Sequence, residues 1–408
     1  MIKYATRRNL KYPLLLLLFN TLRDIDYNLI RSLLDFHYLS ILHILMFFGE
    51  FLGGLIYYIK EIKFLSKNKR KNSIQFTNIG YYKQNQNLPK DKIVKIIFLI
   101  FVASFHDFVQ FLISITLLIY LDYSIIFEQR FRGFLTIYTA LLSYCLLRLN
   151  IYKHHRISIY FILICLIILA IIEIIFMRST NIFPPFSLIF IYIILGFAHI
   201  FCAFKNVIEK YLFEYNQTSE YLVLLLEGIF GLIITIIYYI FNPPFDGIKR
   251  FYKVKSTKNF ISLIIGLIIY ILLSGAKNIF RVLTTKIFDP MTTTLMDYIL
   301  NPVHVIFNFS ILGKKINNEK LFWLYFGLNI IISLIISFFG LVYNEIFILF
   351  CCGLDRETYK QITDRSINEI NISELLEDDD DDENDINIES GNSHYMMQLK
   401  GDNTKVNE

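Results

Sequence analysis

The sequence predicts an all-α membrane protein that crosses the bilayer many times. Of the 408 residues, 55% are hydrophobic and only 18% are charged, whereas about a quarter of the residues in a soluble domain are charged. The apolar residues form long blocks separated by short basic stretches. A membrane-spanning helix needs roughly 20 apolar residues, so ten of them would occupy about half of the chain. No room remains for a separate catalytic domain.

Nine apolar segments predict membrane helices directly, and a tenth is weaker. The nine lie near Tyr38–Ile59, Ile96–Leu121, Phe134–Leu147, Ile157–Phe176, Phe186–Phe204, Tyr221–Phe241, Phe260–Ile279, Met291–Leu312 and Leu321–Phe350. The tenth, from Tyr12 to about Leu34, contains Arg23, Asp24 and Asp26. Charges at mid-membrane are costly unless they face protein or water. This first helix therefore either lies inside a bundle or does not cross fully, and we favour a total of ten.

Basic loop residues predict the orientation. The N-terminal segment 1–11, the loop 60–93 and the stretch Arg148–Arg156 are all basic. With ten spans they lie on one side, which the positive-inside rule assigns to the cytosol together with both termini. The loop Lys249–Lys258 has five basic residues and would lie on the other side. The basic excess indicates topology and contact with lipid headgroups rather than nucleic acid.

Residues 351–408 predict a disordered, acidic cytosolic tail. From Asp355 to Glu408 there are 16 acidic and 5 basic residues, although the whole chain carries a formal charge of +5. Such a composition cannot bury a core. The tail contains Tyr359-Lys-Gln-Ile362 and Leu375-Leu376. Both resemble sorting signals read by adaptor proteins, although patterns this short also occur by chance.

Polar residues follow single faces of several predicted membrane helices. The ninth helix carries five such residues at spacings of 4, 4, 3 and 4, and the fourth helix repeats the same spacing. These are Thr293, Asp297, Asn301, His304 and Asn308, and Glu128, Arg132, Thr136, Thr139 and Ser143. The third helix adds Asp107, Gln110 and Ser114, and the second adds His43 and Glu50. Each spacing places its residues on one helical face.

These polar faces have two interpretations. They either form hydrogen-bonded contacts between helices or line a central cavity, where secondary transporters bind solute. Two five-residue stripes together with intramembrane carboxylates favour the cavity. Asp297 has no cationic neighbour on its own helical face, so it is the stronger candidate for contact with solute or a proton.

No pattern in the sequence predicts catalysis. The intramembrane histidines His43, His106, His199 and His304 lack metal-ligand spacing, and the chain has no glycine-rich phosphate loop or nucleophile elbow. We therefore predict a transporter or channel rather than an enzyme, with no cofactor and no metal.

Short motifs, taken in order, resemble a known family. The fourth helix reads Gln129-x-x-Arg132-Gly133 and then Thr139 and Ser143, as in the F-type members of solute carrier family 35, within the drug/metabolite transporter superfamily. Further matches between Asn20 and Glu345 are Gly49-Glu50-Phe51, Asp107, Glu209-Lys210, Glu227-Gly228-x-x-Gly231, Thr285-Lys286, Thr292, Asp297 and Tyr343-Asn344. The resemblance covers the whole membrane body.

The resemblance implies ten helices in two inverted five-helix repeats, residues 12–176 and 186–350, with solute moving by alternating access. Helices one to four and six to nine would line the cavity, and helices five and ten would brace it. Thr293 stands where the family carries an arginine. An anionic nucleotide sugar is therefore not implied.

The function expected is secondary transport or exchange of a small organic solute, coupled to a proton or a counter-solute. The membrane would be Golgi or endolysosomal. Asp297 and Asn301 would contact solute from one repeat, and Gln129 and Arg132 from the other. The wider cavity lining would include Glu50, Asp107, Gln110, Thr293 and His304, and Lys286 would either hold an anionic group at the cytosolic rim or serve as a topological charge. The alternative is a non-transporting scaffold of the same fold, whose acidic tail recruits cytosolic partners.

Overall fold

The computed structural model describes residues 11–33, 39–68, 76–77, 80–81, 90–120, 125–148, 151–179, 185–241, 257–299, 319–347 and 349. All of these belong to one compact unit, Met1–Thr358. The second unit, Tyr359–Glu408, lies outside the described residues, and so do both sorting patterns of the tail.

The described part of the chain is almost entirely helical. Its helices are α1 (Lys11–Leu33), α2 (Leu39–Asn68), α3 (Lys90–Tyr120), α4 (Ile125–Leu147), α5 (Lys153–Ser179), α6 (Pro185–Glu214), α7 (Glu220–Phe241), α8 (Thr257–Ile287), α9 (Pro290–Ile299) and α10 (Glu319–Tyr343). Between α2 and α3, strand β1 (Phe76–Thr77) pairs antiparallel with β2 (Gly80–Tyr81).

Six of the described helices are long and apolar enough to cross a membrane. By length and composition these segments are Ile41–Phe64, Asp91–Ser114, Lys153–Phe176, Glu220–Phe241, Ile261–Ile287 and Phe322–Tyr343, in α2, α3, α5, α7, α8 and α10. The prediction of a helical membrane protein is therefore confirmed at this level.

Some helices of the bundle expose apolar side chains and bury polar ones. On α1, the leucines at positions 14, 18, 22 and 29 are exposed, whereas Asn20, Asp24 and Asp26 are buried. On α8, six isoleucine and leucine side chains between Ile261 and Leu272 are exposed. Lipid tails solvate such apolar faces, while polar groups must find partners inside the bundle. The bundle is therefore built to sit in lipid.

Helix α1 packs along α8. The rings of Phe19 and Phe280 stack at 5.3 Å between centroids, and those of Tyr27 and Tyr270 lie 6.4 Å apart. Arg23 Nη2 lies 2.8 Å from Asp24 Oδ1. The charges that interrupt α1 are thus placed within the bundle rather than on its lipid-facing side.

Glycines let α2, α7 and α8 approach closely. A Cβ atom built on Gly54 of α2 would lie 2.5 Å from the backbone nitrogen of Leu225 on α7, and one on Gly275 of α8 would lie 2.7 Å from the carbonyl oxygen of Gly49. A Cβ on Gly228 would clash with the backbone of Phe51. Small residues at helix contacts are typical of membrane bundles. Here they bring the neighbouring Glu50 and Glu227 toward the same interior region.

Two helices extend beyond the apolar segments that predict them. The segment Phe186–Phe204 is followed by ten further helical residues of α6, to Glu214, and Phe260–Ile279 by eight more of α8, to Ile287. Both extensions carry charged side chains that are buried, including Lys205, Glu209 and Arg281. The helical bundle therefore continues through positions that composition alone assigns to loops.

Candidate functional site

Six charged side chains from five helices meet in the interior, and we name them the charge cluster. They are Glu50 of α2, Asp107 of α3, Lys205 and Glu209 of α6, Glu227 of α7 and Arg281 of α8. None is more than 9% exposed. Ionisable groups buried in a membrane bundle are costly and mark functional sites.

Lys205 is the first centre of the cluster. Its Nζ lies 2.5 Å from Asp107 Oδ2, and 3.9 Å from both Glu50 Oε1 and Glu227 Oε2. One ammonium group therefore faces carboxylates from three different helices. Only the contact with Asp107 has hydrogen-bond length.

Arg281 is the second centre. Its Nη1 donates a hydrogen bond to Glu209 Oε1, and its Nη2 lies 3.3 Å from Glu227 Oε2. Its Nε donates to Asn278 Oδ1 at 3.0 Å, which orients the guanidinium from one turn earlier on the same helix. Because Glu227 faces both cations, it links the two halves of the cluster.

Local sequence explains how each helix supplies its part. Lys205 and Glu209 are four residues apart on α6, and Asn278 and Arg281 are three apart on α8, so each pair shares a helical face. Ser104 of α3 donates a hydrogen bond of 2.9 Å to the backbone oxygen of Glu227. This bond ties α3 to α7 beside the cluster.

The cluster has acceptor atoms without partners. Within the described residues, Glu50 Oε2, Glu209 Oε2 and Glu227 Oε1 are buried and make no hydrogen bond. Both ring nitrogens of His43, two turns before Glu50 on the same face of α2, are also without hydrogen bonds, and its ring lies 4.0 Å from that of Phe111. Buried polar groups are normally satisfied. The unsatisfied oxygens can therefore accept a proton or a donor group from a bound solute.

The structure places the predicted site residues in several different regions. Glu50 and Asp107 lie in the charge cluster, and Gln110 is half-buried one turn beyond Asp107. Thr293 is buried at the α8–α9 contact, with its Oγ1 3.0 Å from Thr285 Oγ1. Lys286 Nζ lies 2.5 Å from Glu220 Oε2, so its charge is matched within the protein.

The remaining predicted residues are not described at side-chain level. Asp297 lies on α9, and Gln129 and Arg132 lie on α4, with their side chains outside the described part. Asn301 and His304 fall in the segment 300–318, outside the described residues. The role of the two polar stripes stays a prediction.

Sequence reasoning missed Lys205 and Arg281 and found Glu209 only as part of a family motif. All three follow the last apolar residue of a predicted span, where charges usually belong to a loop. One sequence pattern could have indicated them: polar residues keep helical spacing beyond the end of each apolar block. Lys205 and Glu209 are four residues apart, and Asn278 and Arg281 are three apart.

The α8–α9 junction is held by two capping interactions. Asp289 Oδ1 accepts a hydrogen bond of 2.5 Å from the backbone N–H of Thr292, which caps the start of α9, where Pro290 is the first residue. Lys210 of α6 donates to the backbone oxygens of Phe288 and Lys286 at 2.5 and 3.2 Å. A cation at a helix C-terminus satisfies its free carbonyls. The junction is therefore anchored to α6.

The Asp289 cap predicts a pH-dependent stability. Burial raises the pKa of the Asp289 carboxyl above its ordinary value. Because the folded protein then holds this proton more tightly than the unfolded chain does, the free energy of unfolding falls as pH rises from the ordinary pKa through the raised one. Asp289→Asn keeps a capping oxygen without the charge and should flatten this dependence. Asp289→Ala also loses the cap and should cost a further ~1 kcal/mol. Thermal unfolding of purified protein from mildly acidic to mildly alkaline pH measures both effects, and equal slopes for wild type and Asp289→Asn would contradict the assignment.

One group among the described residues has the donor types of a metal site. His154, His155 and Glu345 each offer a ligand atom within 4.8 Å of the others. His155 Nδ1, however, accepts a hydrogen bond of 3.3 Å from the Tyr152 N–H at the start of α5, and His154 Nε2 lies 3.2 Å from Glu345 Oε1. The first contact fixes the start of α5 and the second joins it to the end of α10, so the group has a structural role with no metal invoked.

No protein-family model matches the sequence, and no curated protein is significantly similar to it. The resemblance to solute carrier family 35 therefore depends on the short motifs. Four of their residues, Glu50, Asp107, Glu209 and Glu227, meet in the charge cluster.

Proposed function

We propose that the protein is a secondary active transporter of a small organic solute in an intracellular membrane, with both termini in the cytosol. In this proposal α1–α5 and α6–α10 are the two inverted repeats of a drug/metabolite transporter fold. The observation that carries it is the charge cluster, which joins α2 and α3 of the first repeat to α6, α7 and α8 of the second. Solute and ion sites of secondary transporters lie at such repeat interfaces.

The cluster suits alternating access because one of its two close ion pairs crosses between the proposed repeats. The Lys205–Asp107 pair joins α6 to α3, and Lys205 also faces Glu50 of α2. For the repeats to rock apart, these contacts must be exchanged for others of similar strength. A charged group of the solute, or a proton, can make that exchange. No cluster residue is more than 9% exposed, so in this proposal the described state corresponds to an occluded one.

The chemistry of the cluster favours a solute that presents a positive or hydrogen-bond-donating group. The unpartnered atoms are carboxyl oxygens of Glu50, Glu209 and Glu227, whereas the cations Lys205 and Arg281 already have acidic partners. Carboxylate oxygens accept hydrogen bonds and attract cations. An organic cation or zwitterion fits this site better than a nucleotide sugar does.

The scaffold alternative also has one observation in its favour. The cluster is closed on all sides by packed helices, as a purely structural ion-pair network would be. In that case the cluster holds the bundle together, and the acidic tail recruits partners. The two proposals differ in whether the cluster ever opens to solute.

Counterflow into proteoliposomes separates these proposals. Purified protein would be tested with radiolabelled organic cations, amino acids, small peptides, nucleotides and nucleotide sugars. We expect uptake of a cationic or zwitterionic probe, reduced about tenfold in Glu50→Gln, which corresponds to about 1.4 kcal/mol, and unchanged in Lys92→Met, an exposed position on α3.

The outcomes are distinct. Uptake that survives Glu50→Gln but is lost in Asp297→Asn would keep the transporter and move its site to the polar stripe of α9. If folded, monodisperse protein takes up none of the probes, the result would favour the scaffold.

A further inference from the structure

The charge cluster contains more acidic groups than basic ones. Its contacts join four carboxyl groups to two cations, Lys205 and Arg281. Among the side chains that the structure describes, a further cation is Lys277, partly buried one turn before Arg281 on α8. Lys210 contacts Glu214, four residues along α6, at 3.1 Å. Among the described side chains, one carboxyl charge therefore stays unmatched even if Lys277 is counted toward the cluster.

A buried carboxylate without a balancing cation is unstable in its charged form. The carboxylates are 9% exposed or less, and a buried, uncompensated charge is so costly that the group takes up a proton instead. Two buried acids of α1, the helix that packs on α8, do not belong to the cluster. Asp24 pairs with Arg23, and Asp26 faces Gly266, four turns from Arg281 along α8. Neutralisation must therefore occur within the cluster.

The geometry distinguishes the four acids. Asp107 accepts a hydrogen bond of 2.5 Å from Lys205, and Glu209 accepts one from Arg281, so both are matched to a cation. Glu227 lies 3.3 Å from Arg281 Nη2. Glu50 has the weakest support, because its Oε1 is 3.9 Å from Lys205 and its Oε2 makes no hydrogen bond. His43, on the same helix, is enclosed by aromatic rings.

We propose that Glu50 holds an exchangeable proton at neutral pH and that this proton and a cationic solute compete for the charge cluster. Loss of the proton gives Glu50 a negative charge that Lys205 alone cannot balance while it is bound to Asp107. A cationic group entering from either side can supply the missing charge. The competition with solute depends on the proposed transport function, whereas the bound proton does not.

Infrared difference spectroscopy tests the proton without any substrate. Protonated carboxyl groups have a carbonyl stretch well separated from that of carboxylates. For the purified full-length protein in D₂O at neutral pH, we expect this band in wild type and its loss in Glu50→Gln. It should persist in Glu345→Gln and weaken in Asp107→Asn, which frees Lys205 to balance Glu50. Asp26→Asn and Asp289→Asn remove the contributions of two buried carboxyls outside the cluster. A wild-type spectrum without the band, or a band that survives Glu50→Gln, would overturn the proposal.

Folding of the variant gives a second readout. Glutamine is a neutral near-isostere of protonated glutamate, so Glu50→Gln should elute as monodisperse protein with unchanged thermal stability. A variant that fails to fold would show that the charge is needed and would overturn the proposal.

Transport assays then separate this inference from the proposed function. In Glu50→Gln, uptake driven by a pH gradient should fall to background, while the wild type shows both gradient-driven uptake and counterflow. Wild-type counterflow that is indifferent to a pH gradient would refute the competition and leave the transporter standing. Absence of wild-type counterflow would refute the transporter, and the infrared result would stand on its own.

Discussion

Replacement of Lys205 by methionine is expected to destabilise the protein by about 3–5 kcal/mol, because it leaves buried acids without their cation. Lys205 faces Asp107, Glu50 and Glu227 and is itself only 3% exposed. Methionine keeps most of the side-chain volume, so the loss reports charge rather than packing. Thermal unfolding in detergent and the yield of monodisperse protein measure it. The loss should shrink at acidic pH, where the stranded carboxyl groups take up protons.

A paired substitution distinguishes the ion pair from a general intolerance at this position. Lys205→Met combined with Asp107→Leu removes both partners of the 2.5 Å contact, and replacing a whole buried pair by apolar groups is often neutral. The double variant should therefore recover most of the stability. Lys92→Met on the exposed face of α3 should change stability by less than about 0.5 kcal/mol. A single Lys205→Met variant as stable as wild type would refute the charge cluster.

Substitution of Gly54 by valine should be the second most damaging change. A Cβ at this position would lie 2.5 Å from the backbone nitrogen of Leu225 and 2.7 Å from its Cα. The obstacle is backbone, which cannot rotate away, so the cost should reach or exceed the upper end of the about 1–3 kcal/mol seen for overpacking. Thermal unfolding of the purified variant measures it.

Gly327 on α10 provides the matched control. A Cβ there meets nothing within 4 Å. Gly327→Ala should be neutral or stabilising by up to about 1 kcal/mol, because alanine favours the helix over glycine. Equal effects at Gly54 and Gly327 would show that α2 and α7 do not meet as closely as described.

A helical membrane protein was predictable from the sequence, because long blocks of apolar residues are what a bilayer-spanning helix requires. Glu50 and Asp107 were also predictable as site candidates, since each interrupts an apolar block. The cluster they join was not predictable in the same way. Lys205 reaches Asp107 across 98 residues of chain, and no helical or strand periodicity records such a pairing.

Lys205 and Arg281 were hidden for a different reason. Each follows the last apolar residue of its block, where hydropathy ends the predicted helix. In the structure α6 and α8 continue, because ion pairs to other helices satisfy the charges and tertiary contacts sustain the helical turns. The composition of a single sequence does not show which charges will form ion pairs with distant helices.

The packing of α1 on α8 has a consequence for biosynthesis. Asn20, Asp24 and Asp26 are buried against later parts of the chain, and α8 begins only at Thr257. A ribosome therefore completes α1 more than 200 residues before its main packing partner emerges. Until then, α1 presents charged residues that hydrocarbon does not solvate. The first helix of the chain is thus among the last to reach its final environment, and chains truncated before α8 leave it without one.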